Sequence, residues 1–303
     1  MRVLVTGANG YIGRSVVAAL RAAGHEPVAM VRTPGTDVTG AREVRIADLL
    51  DIDSLRLAVQ EVDAVCHLAG LTRARQSFAE ALRYVRVNVG GTIALLDAMS
   101  SADVRRMVFA STGSIYGTPD QQPMNEELPD SPPHPYASSK LAAELAIEAQ
   151  ARGGNLAATV VRIANIAGGA DPDPTRLVPR TLVAAAAGTP LAVNGDGTAV
   201  RDYLHVRDAA AAFVACIEHL PLEGQAVRYN IGSGHGTSIM DVIEAVERAT
   251  GRRVALERRP PANEPACLIN DPSKAIAEIG WSPQHSTIDE IVRDAWSASV
   301  ALL

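Results

Sequence analysis

The stretch Thr6-Gly7-Ala8-Asn9-Gly10-Tyr11-Ile12-Gly13 decides the fold, because it joins the apolar run Val3-Leu4-Val5 to a helical pattern. Glycines at this spacing permit a tight turn, a close approach of the backbone to a pyrophosphate, and close packing of a helix on a strand. The N-terminus of the helix that follows is suited to bind the phosphates. The stretch therefore predicts a dinucleotide-binding loop formed by Gly7, Asn9, Gly10, Tyr11, Ile12 and Gly13.

Apolar runs and helical patterns alternate over the first two-thirds of the chain. Further short apolar runs lie at residues 28–31, 44–46, 64–68, 107–110, 159–162 and 227–231. Helical patterns lie at about residues 13–23, 54–61, 78–100 and 136–152. Strands that alternate with helices are typical of a parallel sheet with helices on both faces. The pattern predicts an α/β fold of the Rossmann type, with a doubly wound parallel sheet.

The character of the sequence changes after residue 165, where prolines interrupt regular structure, as in Asp171-Pro172-Asp173-Pro174. Segments 166–200 and 233–303 carry short strand and helix patterns with proline-rich connections. We expect these two segments to form a smaller, interleaved substrate-binding cap over the carboxyl edge of the sheet. Residues 1–165 and about 201–232 would then form the dinucleotide-binding Rossmann domain.

The composition excludes several classes of function. Hydrophobic residues make up 47% of the 303 residues and charged residues 20%, which is ordinary for a globular protein. A formal net charge of −6 argues against a broad nucleic-acid-binding surface. The longest purely apolar run, Ala209 to Ile217, has nine residues, far fewer than the roughly 20 that span a bilayer. The cysteines and histidines lack metal-ligand spacing. We therefore expect a cytoplasmic protein with no metal site and no nucleic-acid or membrane partner.

Tyr136 and Lys140 form the most informative pair of polar residues. Only two of the 28 lysine and arginine residues are lysines, Lys140 and Lys274. On a helix, a tyrosine and a lysine four residues apart share one face. A nearby ammonium favours phenolate, so we expect the pKa of Tyr136 to fall below its usual value of about 10. The ammonium can also donate to a ribose hydroxyl.

The end of the second predicted strand bears on the choice between NAD and NADP. An acidic residue there would bind the ribose 2′-hydroxyl, whereas an arginine would meet a 2′-phosphate. The strand ends in Met30-Val31-Arg32-Thr33, without a carboxylate. Arg32, together with Arg14, favours NADP over NAD. The alternative is that Arg32 is an ordinary solvated surface residue.

A series of motifs runs through most of the chain in a fixed order. They are Thr6–Gly13, Ala47–Leu49, His67–Gly70, Val87–Thr92, Ser111–Gly117, Tyr136 with Lys140, Arg162–Asn165, Gly195–Asp208 and Asn270–Ala275. With them the chain resembles the extended short-chain dehydrogenase/reductase family, and within it the UDP-glucose 4-epimerase-like nucleotide-sugar enzymes. This series of motifs is specific for the family but much less specific for the substrate.

The resemblance implies roles for individual residues. The hydride-transfer residues would be Thr112, Tyr136 and Lys140. Besides the glycine-rich loop, the cofactor would contact Arg32, Asp48, Leu49, Leu68, Ala69, Gly70, Asn88, Tyr136 and Lys140. The substrate, a nucleotide-diphosphate sugar, would contact Thr112, Ser114, Asn165, Arg176, Leu177, Arg201, Arg259 and Glu264. Arginine suits a diphosphate because its planar fork donates two hydrogen bonds at once.

The chain also departs from the family pattern. Dehydratases of the family resemble Thr-Asp-Glu at the catalytic loop, whereas this chain has Thr112-Gly113-Ser114, so dehydration by that route is not expected. Arg176 stands where epimerases usually carry asparagine, and the segment 258–264 departs from the family's tighter Arg-x-Gly-Asp. Hydride chemistry alone remains.

Three functions stay open. The leading one is a nucleotide-sugar 4-epimerase that works through a 4-keto intermediate, and the alternative is an NADPH-dependent 4-keto-sugar reductase. A dinucleotide-binding sensor without turnover ranks third. By analogy, the helices at 78–100 and 136–152 would pair with those of a second copy into a four-helix bundle, which predicts a homodimer. His134, two residues before Tyr136, is either a proton relay or a histidine of a surface loop.

Overall fold

The computed structural model of the protein describes residues 1–154, 156–261 and 265–300. The strands are β1 (Arg2–Thr6), β2 (Glu26–Val31), β3 (Glu43–Ile46), β4 (Ala64–His67), β5 (Arg106–Thr112), β6 (Ala157–Ile163), β7 (Asn165–Ala167), β8 (Leu191–Asn194), β9 (Val200–His205), β10 (Ala226–Ile231), β11 (Gly236–Ser238), β12 (Leu256–Arg259) and β13 (Cys267–Leu268). The helices are α1 (Tyr11–Ala22), α2 (Ile52–Ala58), α3 (Ala74–Ser77), α4 (Ala81–Tyr84), α5 (Gly91–Ser101), α6 (Pro135–Gly154), α7 (Leu177–Ala187), α8 (Val206–Glu218), α9 (Ile239–Thr250), α10 (Ser273–Ile279) and α11 (Ile288–Val300).

The central sheet has seven parallel strands in the order β10-β6-β5-β4-β1-β2-β3. The chain builds outward from β1 to β3, then returns to β4 on the other side of β1 and builds toward β10. The strand order therefore reverses between β1 and β4. In α/β sheets, ligands bind at this reversal, beyond the carboxyl ends of the strands. The predicted doubly wound parallel sheet is confirmed.

Successive side chains of a strand point to opposite faces of the sheet, and here the side chains on both faces are apolar. Helices therefore cover both faces. Val3 and Val5 of β1 lie in one buried apolar cluster with residues of α1 and α8. Leu4 lies in a second buried cluster with residues of α2, α5 and α6. The two clusters hold the sheet rigidly between two layers of helices, so that its carboxyl edge is a fixed platform for a site.

The cap has its own sheets and its own core. Strands β7, β9, β11 and β13 form one small sheet, and β8 pairs with β12 in another. A third buried apolar cluster joins α7, α9 and α11. Strand β9 pairs within the cap, whereas α8, which follows it directly, contributes to the cluster on the central sheet. The division into residues 1–165 with about 201–232, against 166–200 with 233–303, stays a prediction.

The segment predicted as one helix, residues 78–100, is broken into several pieces. Glu80 leaves the helical path, with φ −129° and ψ 33°, between α3 and α4. A π-helical turn at Val85–Gly90 then precedes α5. The prediction of a continuous helix is therefore wrong. A π turn inserts one extra residue into the helix and is frequent at functional sites.

Two kinds of feature are absent from the part of the chain that the structure describes. There, no group of three or more histidine, cysteine, aspartate or glutamate side chains could hold a metal ion. No helix within the same residues is long and apolar enough to cross a membrane. Cys66 and Cys216 are buried, Cys267 is half-buried, and all three are free thiols.

Candidate active site

The glycine-rich loop leaves no room for side chains at two of its glycines. Gly7 has φ +66°, and a Cβ there would lie 3.0 Å from the backbone of Ala69, in the loop after β4. At Gly13 a Cβ would lie 2.2 Å from the carbonyl oxygen of Gly7. Helix α1 begins after Gly10 with no acidic residue in its first turn and, among the described residues, no side-chain cap. Its first N–H groups are therefore available to an anion, and the loop fits the diphosphate of the predicted dinucleotide.

Strands β1 and β4 are tied together where they end. The hydroxyl oxygen of Thr6 accepts hydrogen bonds from the N–H groups of Leu68 and Ala69, at 3.1 and 3.0 Å. The same oxygen lies 2.7 Å from Nδ1 of the buried His67. Burial lowers the pKa of His67 to about 3, so this ring is neutral at physiological pH. These bonds fix the loop after β4 beside the glycine-rich loop.

Asn88, on the π-helical turn, links three parts of the site. Its Oδ1 accepts a hydrogen bond from the N–H of Leu71 at 2.8 Å, and its Nδ2 donates to the carbonyl of Leu71 at 3.0 Å. Nδ2 also lies 2.9 Å from the hydroxyl of Ser139 on α6. A Cβ at Gly70 would lie 2.9 Å from Oδ1 of Asn88. The irregular turn thus directs Asn88 inward, against the loop after β4.

Lys140 is buried at the same edge of the sheet. Its ammonium donates to the carbonyl of Ala110 at 2.8 Å and lies 4.6 Å from the ring centroid of Phe109. A Cβ at Gly70 would lie 3.6 Å from Nζ. Burial lowers the pKa of Lys140 to about 8, and the carboxylate of Glu144, one turn further along α6, opposes that shift. The ammonium is therefore held beside the loop where the cofactor is predicted to bind.

Tyr136 lies one turn before Lys140 on α6, and Thr112, at the end of β5, lies close enough to influence its pKa. Burial raises the pKa of Tyr136 to about 12, and the nearby Thr112 opposes only part of that rise. The fall in pKa predicted from the Lys140 spacing is therefore wrong. Desolvation of the phenol outweighs the ammonium, which is itself buried and bonded to Ala110.

The turn after Thr112 leaves little room for an acid at position 113. The hydroxyls of Thr112 and Ser114 lie 2.7 Å apart, so Ser114 lies beside the predicted oxidation site. A Cβ at Gly113 would lie 2.5 Å from Oδ1 of the buried Asn270. Asn270 is held in turn by a hydrogen bond to the carbonyl of Arg162 at 2.9 Å. No acidic side chain fits at position 113 unless Asn270 moves.

A buried ion pair behind the site was missed in the sequence. Arg162 on β6 and Glu144 on α6 are both fully buried, with 2.6 Å between Nη2 and Oε2. Arg162 also contacts Asp130 at 2.7 Å, and the hydroxyl of Ser111 donates to Glu144. Two features of the sequence could have indicated the pair: an arginine at the end of an apolar run, and a glutamate four residues after Lys140. The pair fixes α6 against the catalytic strand β5 and its neighbour β6.

The predicted adenine-side residues all follow the carboxyl ends of β2 and β3. Arg32 is exposed and has no hydrogen bond or ion pair with any described residue. Arg14 donates to the carbonyl of Asn9 at 3.2 Å, so it stays close to the glycine-rich loop. Asp48 is half-buried and Leu49 is buried, directly after β3. Their predicted cofactor contacts stay predictions.

Three of the predicted substrate residues lie on strands outside the central sheet. Asn165 begins β7 and is exposed. Arg201, on β9, donates from Nη1 to two backbone carbonyls of the cap at 2.7 and 2.8 Å. Arg259 ends β12, is exposed, and lies 3.3 Å from a neighbouring glutamate. Glu264 lies outside the described residues. The substrate roles of these residues stay predictions.

Arg176 joins the cap to the glycine-rich loop. It lies just before α7, of which Leu177 is the first residue. Its Nη1 lies 3.0 Å from the buried carboxylate of Asp171, and its guanidinium carbon lies 5.4 Å from the ring centroid of Tyr11. The positive charge of Arg176 lowers the pKa of Tyr136, although burial raises that pKa by more. Arg176 is therefore the cap residue whose charge reaches the predicted catalytic site.

Comparison with known proteins agrees with this geometry. Residues 3–232 match the NAD dependent epimerase/dehydratase family. The UDP-glucose 4-epimerase of Corynebacterium glutamicum is 35% identical, over 100% of this chain and 97% of its own length. The structure of UDP-glucose 4-epimerase from Stenotrophomonas maltophila with bound NAD and formylated UDP-arabinopyranose is 32% identical, with a TM-score of 0.92 over 100% of this chain and 98% of that one. MoeE5 in complex with UDP-glucuronic acid and NAD is 30% identical, with a TM-score of 0.90 over 100% of both chains.

The family resemblance seen in the sequence is confirmed. The family match covers the whole central sheet, and the similarity to UDP-glucose 4-epimerases continues through the cap. The chain belongs to the NAD dependent epimerase/dehydratase family.

Proposed function

We propose that this protein is an NAD-dependent nucleotide-sugar 4-epimerase that acts through a 4-keto intermediate. The observation that carries the proposal is that Thr112 lies near Tyr136, with Lys140 one turn away on α6. Neither position 113 nor position 114 carries an acid, and Gly113 has no room for one. Similarity to UDP-glucose 4-epimerases over the whole chain supports the same reaction.

The proposed roles follow from the atoms that face one another. The positive nicotinamide ring of bound NAD would favour the phenolate of Tyr136, which burial alone disfavours. This phenolate would take the proton of the sugar C4 hydroxyl, and Thr112 would hydrogen-bond the same oxygen. When bound, NAD would accept the hydride from C4 and return it to the opposite face of the 4-keto sugar. Tyr136 would then return the proton, so the cycle consumes no reductant. Lys140 would hold the nicotinamide ribose, and the Thr112–Ser114 hydroxyl pair would orient the sugar.

We propose NAD rather than NADP as the cofactor. The related structures contain NAD, and they lend no support to the preference for NADP expected from Arg32. Arg32 is exposed, as the alternative of a solvated surface residue requires. An Arg32→Ala variant should therefore keep the wild-type ratio of NADH to NADPH affinity. A selective loss of NADPH affinity would restore a 2′-phosphate role for Arg32.

The proposed substrate is a UDP-sugar bound under the cap. The Stenotrophomonas enzyme and MoeE5 hold UDP-sugars of different kinds. In this chain, Asn165, Arg201 and Arg259 would contact the diphosphate, with Arg176 and Leu177 nearer the sugar. Guanidinium groups suit this task because they donate to two phosphate oxygens at once.

A homodimer is proposed from the outer faces of α4, the π-helical turn, α5 and α6. Large apolar side chains are exposed on each of them: Leu82 at 78%, Val85 at 47%, Ile93 at 52% and Leu145 at 53%. Apolar patches of this kind mark interaction surfaces in soluble proteins. A second copy of the chain would cover them. The cytoplasmic location expected from the sequence stays a prediction.

The test begins with the cofactor that the purified protein retains. The protein is denatured, and any released dinucleotide is identified by mass spectrometry. Retained NAD supports the epimerase, because its cycle regenerates the cofactor. The untreated protein is then incubated with UDP-glucose, UDP-N-acetylglucosamine and UDP-glucuronic acid, and 4-epimers are sought without added cofactor. A protein that binds NADPH reversibly and only reduces 4-keto sugars would contradict the proposal in favour of the reductase.

A further inference from the structure

His134 forms the N-cap of the catalytic helix with its imidazole ring. It directly precedes α6, and its Nδ1 accepts a hydrogen bond from the N–H of Ala137, three residues on, at 3.0 Å. The carbonyl of His134 accepts from the N–H of Ser138 at 3.1 Å. Serine, threonine, aspartate and asparagine usually make this side-chain contact. Because Nδ1 is the acceptor, the proton of the neutral ring lies on Nε2.

The same ring packs against Tyr136. The rings of His134 and Tyr136 are nearly parallel, with 17° between their planes and 5.8 Å between centroids. Tyr84 contacts Tyr136 edge-on, at 6.3 Å and 75°. Phe78 contacts His134 edge-on, at 6.4 Å and 78°. Tyr136 therefore lies between the rings of His134 and Tyr84, and the ring of His134 also caps the first turn of α6.

We propose that His134 is a positioning residue for Tyr136, and that it positions the phenol only as a neutral imidazole, because the Nδ1 lone pair that caps α6 is the lone pair that a proton would occupy. If Nδ1 were protonated, its N–H would face the N–H of Ala137, and neither group could accept a hydrogen bond from the other. The cap would then break. The imidazolium would also lie at the positive end of the α6 dipole, where a cation is unfavourable. This inference rests on the proposed role of Tyr136 as the base.

The surroundings of His134 favour the neutral ring. From the segment between α3 and α4 it faces Phe78, which does not titrate. On α6, His134 faces Tyr136, and burial raises the pKa of that tyrosine. On α4, the nearest titratable group is Tyr84, which lies on the other side of Tyr136. Among the described residues, no carboxylate or cation makes an ion pair with His134. Burial lowers the pKa of His134 below its ordinary value.

The sign of the pH effect follows from that shift. Since the folded protein holds the proton on His134 less tightly than the unfolded chain does, the unfolded chain binds more protons below about pH 6.5. The contribution of the cap to stability is therefore complete above that pH and declines as the pH falls below it. The positioning of Tyr136, and with it kcat, should decline at still lower pH, where the ring takes up its proton in the folded protein.

The experiment compares the wild type with His134→Asn and His134→Phe. Asparagine keeps a cap acceptor but neither ring nor titration, whereas phenylalanine keeps a ring but no acceptor. The turnover of the active UDP-sugar and Tm are measured from pH 5 to 9. We expect wild-type Tm to begin to fall below about pH 6.5 and wild-type kcat to fall at lower pH, and we expect both declines to be smaller in His134→Asn. At neutral pH, His134→Asn should lose several-fold in kcat with little change in KM, and His134→Phe should lose Tm.

The two readouts keep this inference separate from the proposed function. If the wild type turns over no nucleotide sugar, the proposed function fails, while Tm against pH still tests the neutral cap. An equal acid decline of Tm in the wild type and in His134→Asn would overturn the cap. A decline of kcat that is undiminished in His134→Asn, although the decline of Tm is smaller, would overturn the positioning of Tyr136.

Discussion

The predicted cofactor edge of the central sheet and the predicted substrate face of the cap are built in opposite ways. At the sheet edge, Thr6, Asn88 and Lys140 are buried, and each is held by hydrogen bonds to the backbone. At the cap, Arg176 and Arg259 are exposed and pair with nearby carboxylates. Buried polar groups must be satisfied within the fold, whereas exposed arginines can exchange partners with a ligand at little cost. The protein therefore has a preformed cofactor edge and an adaptable substrate face.

This contrast explains why the chemistry is easier to infer than the sugar. A buried group that the fold holds in place presents the same hydrogen-bonding atoms whatever the substrate. An exposed charge is free to vary with the substrate. Substitutions at the sheet edge should accordingly affect kcat, cofactor retention or both strongly, and substitutions in the cap should mainly affect KM.

The largest effect is expected for Tyr136→Phe at the sheet edge. Loss of the phenol removes the proposed base, so kcat should fall by about 10²- to 10⁴-fold, with little change in the amount of NAD retained. The measurement is kcat with the active UDP-sugar, alongside quantification of the bound dinucleotide. The matched control is Tyr84→Phe, which alters the ring beside Tyr136 but not the base. Full turnover in Tyr136→Phe would refute the assignment.

The next effect is expected for Lys140→Arg. The larger, planar guanidinium cannot keep the buried contact with Ala110 in the same place, and a misplacement of about 1 Å can cost on the order of 10²-fold in rate. Both kcat and the affinity for NAD should fall. The control is Lys274→Arg, at the other lysine of the chain. Lys274 also donates to a backbone carbonyl, but on β10, the strand at the outer edge of the central sheet. Equal losses in the two variants would contradict a cofactor role for Lys140.

A smaller effect is expected for Gly13→Ala. The added Cβ would meet the carbonyl of Gly7 at 2.2 Å, and overpacking of this kind costs about 1–3 kcal/mol. The variant should lose Tm and retain less NAD. Gly153→Ala is the control, because a Cβ there meets nothing within 4 Å. If Gly13→Ala retains NAD as the wild type does, the loop is not preformed in the way described.

The smallest effect is expected for Arg176→Ala in the cap. An exposed charge contributes up to about 1 kcal/mol, so KM should rise roughly fivefold or less, with a smaller change in kcat. The control is Arg253→Ala, which removes a cap arginine that is 93% exposed and paired with Glu247. A loss in Arg176→Ala as large as that in Tyr136→Phe would break the contrast between the two regions.

The sequence predicted the sheet edge better than it predicted the cap. Glycine spacing and alternating apolar runs report local geometry, so the parallel sheet and the loop before α1 could be read directly. The π-helical turn at Val85–Gly90 could not, because its residues have helical spacing and only the extra residue distinguishes it. The raised pKa of Tyr136 was missed for another reason, because burial depends on the packed fold and not on the distance to Lys140 along the chain.

The measurement that tests the central claim most directly uses the active UDP-sugar labelled with deuterium at C4. The protein is incubated with this substrate in ordinary water without added dinucleotide, and the product is analysed by NMR. Because the hydride would leave C4 and return to the same carbon, the account predicts a 4-epimer that keeps its deuterium. Loss of deuterium to the solvent, or conversion that requires stoichiometric NADPH, would contradict it.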